Sequence, residues 1–414
     1  MSQTSDDQTV NAGTAVGAPR TGRFVRDMLA LDAPLLLLAA MGLITSLGVA
    51  VMVPLIPLYA VSLGASPLQL GLLTSAFAIT NSLGQLAAGL LSDRFGARSF
   101  IRVGIAIYAT ANALIATATS AAALIAYRAL AGLGAGFNLV AERIYLAQIA
   151  DPKRMAFVNA VLSAAVSVGQ VAGPAFGGIV TALADLRAPF VIVSITSGVS
   201  FLGSLFLPRP EARSGSQAGV ASATEVRIPW RPIGVLIVAQ LFLMAGYGAF
   251  ITTYAPLATS ALGWTTIDVG LLFSVFGAGS IILGPWLSHL ADRVGRRRVA
   301  VLACLPVSLF VISLVAGLPR LLLYVVGFSA GGGITAFGAS WYALLAGFAP
   351  GARRGRIFGI ANALSQLGVV FGAMLASAIW QTADLGAAML SASVAVLLAG
   401  GALLALPHEE EARA

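Results

Sequence analysis

The sequence predicts an all-α membrane protein in which twelve transmembrane helices form two pseudo-symmetric six-helix bundles. Its composition, its series of apolar segments and an internal repeat lead to this prediction. Of the 414 residues, 58% are hydrophobic and only 10% are charged. A soluble protein needs about a quarter of its residues charged to cover its surface. Most of this chain must therefore contact lipid or other helices.

Twelve apolar segments follow a polar first stretch of the chain. Each is long enough to cross a hydrocarbon layer of roughly 30 Å, which takes about 20 helical residues. Helices are predicted because backbone polar groups in lipid need partners within their own segment. The expected spans are 34–61, 67–91, 99–118, 121–149, 156–183, 188–207, 233–259, 266–290, 299–317, 320–346, 357–380 and 385–406.

The basic residues fall mainly on one side of these spans. Twenty of the 24 Lys and Arg residues lie in the tails and in the connections after even-numbered spans, whereas Arg187 and Arg320 lie on the opposite side. Because cytoplasmic segments are enriched in such residues, we expect a multi-pass protein of the bacterial inner membrane with both termini in the cytoplasm. The predicted division is a tail at 1–33, a bundle at 34–207, a linker at 208–232, a second bundle at 233–406 and a tail at 407–414.

An offset of 199 residues relates the two predicted bundles and indicates an internal duplication. Duplicated bundles are typical of transporters in which two halves rock around a central binding site. The aligned pairs are Pro57 and Pro256, Gly64 and Gly263, Gly71 and Gly270, Asp93-Arg94 and Asp292-Arg293, Gly96 and Gly295, Gly132 and Gly331, Gly134 and Gly333, Gly169 and Gly368, and Gly173 and Gly372.

The composition also argues against several other functions. Cys304 is the single cysteine, and His289 and His408 are far apart, so a disulfide framework, a metal site or a histidine-based hydrolase site is not expected. The net charge of +8 comes from short, scattered basic clusters, which does not predict nucleic-acid binding. We therefore expect neither an enzyme nor a cofactor.

The connection between spans 2 and 3 contains a recognisable motif. Residues 89–98, GLLSDRFGAR, resemble the loop signature of the major facilitator superfamily, and residues 288–297 match it in part. Glycines in this pattern allow close helix approach and a tight turn, and the Asp can meet a basic group or a helix N-terminus. A turn at a membrane surface can also collect these residue types without a special role. The resemblance implies a latch between the halves on the cytoplasmic side, formed by Gly89, Asp93, Arg94, Gly96, Arg98, Asp292 and Arg293.

Spans 1 and 5 carry a second resemblance. Span 1 has Leu-Gly at 47–48 followed by Pro54 and Pro57, and span 5 has GQVAGPAFGG at 169–178. Both segments resemble signatures of the twelve-span drug/proton antiporters, although Ala160 stands where that family has an earlier glycine. Glycine every fourth residue leaves a bare helix face, and proline bends the helix. The resemblance implies export, with the antiporter motif at Gly169, Gly173, Pro174, Gly177 and Gly178.

Span 4 contains the charges that bear most directly on mechanism. Residues 127–136, YRALAGLGAG, resemble the superfamily motif in which the arginine is linked to proton coupling, which implies that role for Arg128. Charges within spans are costly and are functional by default, so Glu142 and Arg143 join Arg128 as candidates. Arg128 and Glu142 lie within roughly 40° of one helix face but roughly 21 Å apart along it. Glu142 is either a proton-carrying group at the inner end of a cavity or part of an interfacial charge pair with Arg143.

Further polar and aromatic residues within the spans are candidate substrate contacts. A mostly apolar pocket with a few hydrogen-bonding groups suits a lipophilic or uncharged small molecule. Each residue could equally stabilise helix packing. The candidates are Asn138, Gln170, Gln240, Tyr247, Tyr254, Trp341, Tyr342, Asn362 and Gln366.

These observations predict a transporter that exports small molecules in exchange for protons by alternating access. The proton gradient would supply the energy, and the expected partners are the substrate, protons and the lipid bilayer, with the protein as a monomer. One alternative in the same fold is a proton-coupled uptake symporter or a facilitator for a sugar or a lysolipid. Another is a membrane sensor that transports nothing, which the intact loop and arginine motifs disfavour.

Overall fold

The computed structural model describes residues 32–151, 154–209, 229–349 and 354–406. The regular structure within these ranges consists of twelve long helices. Most of the predicted tail at 1–33, residues 210–228 of the predicted linker, and the final tail at 407–414 lie outside the described residues. The helices are α1 Ala33–Ser62, α2 Pro67–Phe95, α3 Ala97–Ala116, α4 Ala121–Ile149, α5 Met155–Leu183, α6 Ala188–Leu205, α7 Trp230–Ser260, α8 Thr266–Val294, α9 Arg296–Val315, α10 Arg320–Phe348, α11 Arg354–Thr382 and α12 Leu385–Leu403.

Most of these helices are suited to cross a membrane. Eleven of those in the described ranges are long and apolar enough to do so by length and composition, and α2 is the exception. Helix α2 contains polar residues such as Thr74, Asn81 and Gln85, which lower its mean hydropathy. Asn81 is buried, and its Nδ2 donates to the carbonyl oxygen of Gly132 in α4 at 3.4 Å. The polar face of α2 is therefore turned towards other helices.

The predicted spans agree with the observed helices to within a few residues, apart from two local features. Helix α1 is interrupted at Val53–Leu55 by a turn of 3-10 helix, where Pro54 lacks a backbone donor. Helix α2 continues to Phe95, so the expected connection to α3 shrinks to Gly96, which has a φ of 81°. Gly295 occupies the same place before α9 with a φ of 111°. Only glycine adopts such a conformation without strain.

The helices form two bundles with the same internal packing. In the first bundle α1 packs against α5 and α6, α2 against α4, and α3 against α4 and α6. The same pairs recur six helices later in the second bundle. The bundles contact each other chiefly through α2 with α11 and through α5 with α8. The predicted fold class is thus confirmed, while the exact domain limits remain a prediction.

Several repeated glycines are explained by close helix packing. A Cβ atom added to Gly132 in α4 would lie 2.5 Å from the carbonyl oxygen of Phe77 in α2. Gly331 in α10 meets the carbonyl oxygen of Phe276 in α8 in the same way. Phe276 lies 199 residues after Phe77, so the duplicated glycines preserve one close contact in both bundles.

Candidate functional site

The two bundles are closed against each other at one end. This end contains the connections that follow α1, α5, α7 and α11. Thr74 and Thr252 share a hydrogen bond of 3.1 Å across the bundle boundary. The hydroxyl of Ser75 donates to the carbonyl oxygen of Val370 at 3.4 Å, and that of Thr266 donates to the carbonyl oxygen of Gly178 at 3.0 Å. Hydrogen bonds and backbone contacts together seal this end.

The glycines of the α5 motif make close helix contacts near this end. A Cβ at Gly173 would lie 2.5 Å from the Cβ of Ala50 in α1, and Gly169 and Gly177 also face α1. Gly178 instead faces α8, where an added Cβ would lie 2.9 Å from the Cα of Ile267. Pro174 lies inside α5, and its carbonyl oxygen faces Gly270 of α8. The motif therefore joins α5 to its own bundle and to the other one.

The opposite end bears the two glycine turns, and there the polar contacts stay within each bundle. Arg98 donates to the carbonyl oxygen of Leu205 at 3.3 Å, and Arg297 donates to that of Leu404 at 2.5 Å. Both acceptors lie at the C-terminal end of the last helix of the same bundle, where a positive charge is favourable. Asp292 at the end of α8 pairs with Arg296 at the start of α9, across the Gly295 turn, at 3.1 Å.

The remaining predicted latch residues are exposed at this end. Asp93, Arg94 and Arg293 are exposed, and in the described ranges none of them forms an ion pair with the other bundle. The expectation that Gly89 allows close helix approach is wrong for this conformation, because an added Cβ there would have no atom within 4 Å. The bundles are separated at this end, so no helix reaches Gly89.

A large cavity lies between the bundles on the side of the glycine turns. Its volume is about 750 Å³, and its walls come from α1, α4, α5, α7, α8 and α10. Val53, Pro174 and Phe273 line the part of the cavity near the closed end, and Glu142 and Pro285 line the part near the glycine turns. Because the inter-helix seals lie at the other end, the cavity opens towards the glycine turns.

Glu142 lies on the wall of this cavity. It is half-buried, and its Oε1 accepts a hydrogen bond of 2.9 Å from Nδ2 of Asn138, one turn earlier in α4. Both residues also line a side cavity of about 210 Å³. Arg143 is exposed and forms no ion pair with Glu142. The geometry thus matches a cavity-facing carboxylate better than an interfacial charge pair.

Arg128 lies deeper, beside a third cavity of about 270 Å³. Only 7% of the residue is exposed. Its Cζ lies 4.2 Å from the ring centroid of Phe77, within the range of a cation–π interaction. Nε and Nη1 of the guanidinium are buried and have no hydrogen-bond partner in the part of the chain that the structure describes. Val49 lines all three cavities, so the space around Arg128 adjoins that around Glu142, and the three cavities together are called the lumen below.

Four of the proposed substrate contacts line this lumen. Asn138, Gln170 and Tyr247 line the large cavity, and Gln366 lines the cavity at Arg128. Tyr247 comes from the second bundle and borders both cavities. These residues are therefore placed where a substrate could reach them.

Two of the aromatic candidates lie in helix packing instead. Trp341 is fully buried, and its Nε1 donates to the carbonyl oxygen of Leu236 at 2.7 Å. Tyr254 is buried, and its hydroxyl donates to the carbonyl oxygen of Val269 at 2.9 Å. Neither residue lines any of the three cavities. Their polar atoms stabilise contacts within the second bundle, which corrects the expectation that they contact substrate.

The last three candidates also lie apart from the lumen. Tyr342 donates to Oδ1 of Asn362 at 3.2 Å, which joins α10 to α11. Gln240 is half-buried, and its Oε1 has no hydrogen-bond partner among the described residues. None of the three lines a cavity described above.

The structure also adds lining residues that sequence reasoning missed. Thr45 and Ser46 of α1 and Thr335 of α10 line the large cavity, and Phe77 and Tyr108 line the cavity at Arg128. Small hydroxyl residues and aromatic residues are common throughout these helices, so their type gives little signal. Only the helix face on which they lie distinguishes them.

Comparison with known proteins identifies the family. The sequence profile of the Major Facilitator Superfamily matches residues 38–257 and 236–414. Multidrug resistance protein 2 of Bacillus subtilis (strain 168) is 24% identical over 288 residues, which is 67% of this chain and 72% of that protein. Quinolone resistance protein NorA of Staphylococcus aureus (strain MSSA476) is 25% identical over 238 residues, which is 56% of this chain and 61% of that protein.

Solved structures of transporters share the fold at lower sequence identity. The crystal structure of the nucleoside transporter NupG superposes with a TM-score of 0.77 at 13% identity, covering 91% of this chain and 99% of that one. A D-xylose-proton symporter superposes with a TM-score of 0.73 at 16% identity, covering 91% of this chain and 97% of that one. With two matching bundles, a central cavity and a profile match over nearly the whole chain, this protein belongs to the major facilitator superfamily and is a multi-span membrane transporter of small molecules, not an enzyme.

Proposed function

We propose that this protein is a proton-driven exporter of small lipophilic molecules, acting as a monomer in the bacterial inner membrane. One observation carries the proposal: Glu142 is a half-buried carboxylate on the wall of a cavity between two bundles that are closed at their other end. Ionisable groups within membrane spans typically mark proton relays and substrate paths. The cavity gives substrate and proton access to the same space.

The proposed cycle alternates between two arrangements of the bundles. The arginine-rich connections lie at the open end of the cavity, and the positive-inside rule assigns that end to the cytoplasm. In this conformation, substrate would enter from the cytoplasm and contact Asn138, Gln170, Tyr247 or Gln366. Closing the cytoplasmic end and opening the sealed end would then expose substrate to the outside, where Glu142 would take up a proton. Return to the present conformation would release that proton inside.

The glycine turns supply the proposed latch for the other conformation. Asp93 and Arg94 in the first bundle and Asp292 and Arg293 in the second are exposed at the open end. Rocking the bundles together at this end would bring the two turns towards each other. Gly89, with open space beside it here, would then contact a neighbouring helix. The latch would stabilise the outward-open state and break when the protein returns.

Two further features support export over uptake. The glycine-proline motif of α5, which resembles the antiporter signature, has Ala373 in place of Pro174 in the second bundle. The relatives with sequence similarity are named for drug resistance.

Everted membrane vesicles with an acid interior provide the test. The probe is an intrinsically fluorescent quinolone, chosen from the name of one relative, and its accumulation in the vesicles is measured. We expect accumulation above that of vesicles lacking the protein, and its loss when an uncoupler dissipates the pH gradient. Accumulation that persists unchanged with the uncoupler would contradict proton antiport.

A proton-coupled uptake symporter or a facilitator for a sugar or lysolipid is the second candidate, because the fold is shared with a D-xylose-proton symporter. The same vesicles separate the two mechanisms. An antiporter accumulates its substrate when the interior is acid, whereas a symporter with this orientation accumulates it when the exterior is acid. A facilitator equilibrates its substrate in either gradient.

A further inference from the structure

On the basis of the proposed export function, we propose that the cavity around Arg128 binds the carboxylate of the substrate. The substrate class is then an amphipathic organic anion with one negative charge, which refines the uncharged or lipophilic molecule expected from the sequence. The charged group would lie at Arg128 and the apolar part would extend into the large cavity.

The first argument is the unbalanced charge of Arg128. The residue is 7% exposed, and no described carboxylate forms an ion pair with it. Glu142 in the same helix is 14 residues away, or roughly 21 Å along the axis. Removing an ion from water costs several kcal/mol unless a counter-charge compensates it. The uncompensated charge of Arg128 lies beside the proposed transport path, so an anionic ligand that binds there can supply the missing counter-charge.

The second argument is the set of unused donors. Phe77 contacts the face of the guanidinium, with 4.2 Å between Cζ and the ring centroid. This contact leaves the N–H groups in the guanidinium plane unused by the ring, and the buried Nε and Nη1 have no hydrogen-bond partner among the described residues. A guanidinium matches a carboxylate through short, charge-assisted hydrogen bonds in that plane. The unmet requirement at Arg128 is therefore for an anionic acceptor.

The third argument is the shape and polarity of the space. The cavity at Arg128 measures about 270 Å³, and side chains such as Met244 and Ile251 give it mostly apolar walls. Val49, Val53 and Tyr247 line both this cavity and the one of about 750 Å³. The small cavity can hold a carboxylate with part of a ring system, and the larger one can hold the remainder.

The charge of the lining limits the substrate to one anionic group. Arg128 is the one Lys or Arg among the described residues that line these two cavities. A phosphate dianion would leave one charge without a partner in an apolar space, which is costly. A monocarboxylate matches the single guanidinium.

Binding of two matched compounds to the purified full-length protein in detergent tests this proposal. The probes are 2-naphthoate and its neutral isostere 2-naphthamide, measured by isothermal titration calorimetry at neutral pH in a buffer free of chloride and of carboxylates. We expect wild-type protein to bind naphthoate about tenfold or more tightly than naphthamide, as a charge-assisted pair predicts. Equal affinities for the two compounds in the wild-type protein would overturn the proposal without any variant.

Two variants test whether Arg128 causes the preference for naphthoate over naphthamide. In Arg128→Gln we expect naphthoate to lose its advantage while naphthamide binding changes little. In the control Arg231→Gln, which removes an exposed arginine at the start of α7, the preference should remain. Retention of the full preference in a folded Arg128→Gln protein, judged by size-exclusion and thermal unfolding, would overturn the assignment to Arg128. If that variant does not fold, Arg128→Lys is used, and it should weaken naphthoate more than naphthamide.

A chloride titration separates an organic anion from an inorganic one. We expect added chloride to compete weakly, with naphthoate still preferred over naphthamide. Chloride binding at Arg128 without discrimination between the two naphthyl compounds would assign the site to an inorganic anion and overturn the proposal. Because this binding needs no pH gradient, its outcome is independent of the vesicle experiment. A carboxylate preference without coupled transport would contradict only proton-driven export.

Discussion

The two bundles share a scaffold but differ at the three positions that matter most in α4 and α10. In the first bundle these positions hold a guanidinium, an amide and a carboxylate, all lining the lumen. In the second bundle they hold a glycine and two buried aromatic residues. The equivalent pairs, 199 residues apart, are Arg128 and Gly327, Asn138 and Phe337, and Glu142 and Trp341.

The volume around these positions is filled differently. In the second bundle an aromatic cluster packs tightly: Phe250 and Tyr254 are stacked with 5.0 Å between ring centroids, and Phe273 and Phe310 lie within 6.0 Å of Phe250. A Cβ on Gly327 would lie 3.1 Å from Phe310, so little space remains. The counterparts of the four aromatic residues in the first bundle are Val51, Leu55, Thr74 and Ala111.

This difference shows how a duplicated fold can divide its tasks. Glycine contacts between helices recur because both bundles need the same close packing. Charges recur only where they have a use, since each one is costly within the membrane. The second bundle thus fills this volume with packed aromatic side chains, and the first provides the groups that we propose for coupling. Substitutions at equivalent positions should therefore produce different kinds of loss.

The largest expected effect on transport is that of a substitution at Glu142. The substitution Glu142→Gln keeps the size of the side chain and its contact with Asn138 but removes the group that can take up and release a proton. We expect proton-linked accumulation in vesicles to fall to the background of vesicles without the protein, with thermal stability nearly unchanged. The matched control is Asp32→Asn, because Asp32 is an exposed carboxylate at the start of α1 whose side chain forms no capping bond. Full coupled transport by Glu142→Gln would return this residue to a purely structural role.

The equivalent position in the second bundle should affect stability. Trp341→Ala removes a fully buried side chain and leaves the carbonyl oxygen of Leu236 without its donor. Such a change should destabilise the fold by about 3–5 kcal/mol. Cys304 is the single cysteine and is buried, so a thiol-reactive fluorophore reports unfolding as temperature rises.

The control for this prediction is Trp286→Ala, since Trp286 is 65% exposed. Its unfolding temperature should change far less than that of Trp341→Ala. A Trp341→Ala protein that unfolds at the wild-type temperature but fails to transport would place Trp341 at the transport site after all.

A smaller difference is expected between substitutions at the two contacts that join the bundles at the closed end, α5 with α8 and α2 with α11. A Cβ at Gly270 would overlap the carbonyl oxygen of Pro174 in α5, whereas the shortest contact of a Cβ at Gly71 would be with the Ser377 hydroxyl at 2.6 Å, and the carbonyl oxygen of Ala373 would lie 3.0 Å away. Backbone cannot move aside as a hydroxyl can. We expect Gly270→Ala to disfavour the closed arrangement by about 1–3 kcal/mol and to slow transport more than Gly71→Ala does. Initial rates in vesicles test this order.

Gly198→Ala in the middle of α6 is the control, because an added Cβ there would have no atom within 4 Å. It should transport at the wild-type rate. Equal losses in Gly71→Ala and Gly270→Ala would mean that the two inter-bundle contacts resist closure alike.

The smallest effects should be equal in the two bundles. Arg98 and Arg297 each donate to the last helix of their own bundle, at equivalent carbonyl oxygens. At an exposed helix terminus such contacts contribute about 0.3–1 kcal/mol. We expect Arg98→Gln and Arg297→Gln to lower the unfolding temperature by similar small amounts, and the double variant to lose their sum. A large fall in unfolding temperature for only one variant would show that the two contacts have the same geometry but contribute differently to stability.

The sequence predicted the fold in detail because each support for it is local or periodic. Apolar segment length, arginine distribution and glycine spacing are properties of short stretches of chain. The same reasoning placed Arg128, Asn138 and Glu142 on related faces of α4, because 3.6 residues per turn relate spacing to direction. It failed for Trp341 and Tyr254, since the polar atom of a buried aromatic residue can bond to a backbone carbonyl as well as to a substrate.

By itself, the sequence determined the twelve helices, the duplication, the glycine turns and the confinement of the charge motif to the first bundle. Tertiary structure decided three further points. It closed the bundles at the end near Gly178 and Gly270, turned Glu142 to the cavity wall and left Nε and Nη1 of Arg128 without a hydrogen-bond partner among the described residues. These points depend on contacts between helices far apart in the chain, and no local pattern specifies which of two bundle arrangements is formed.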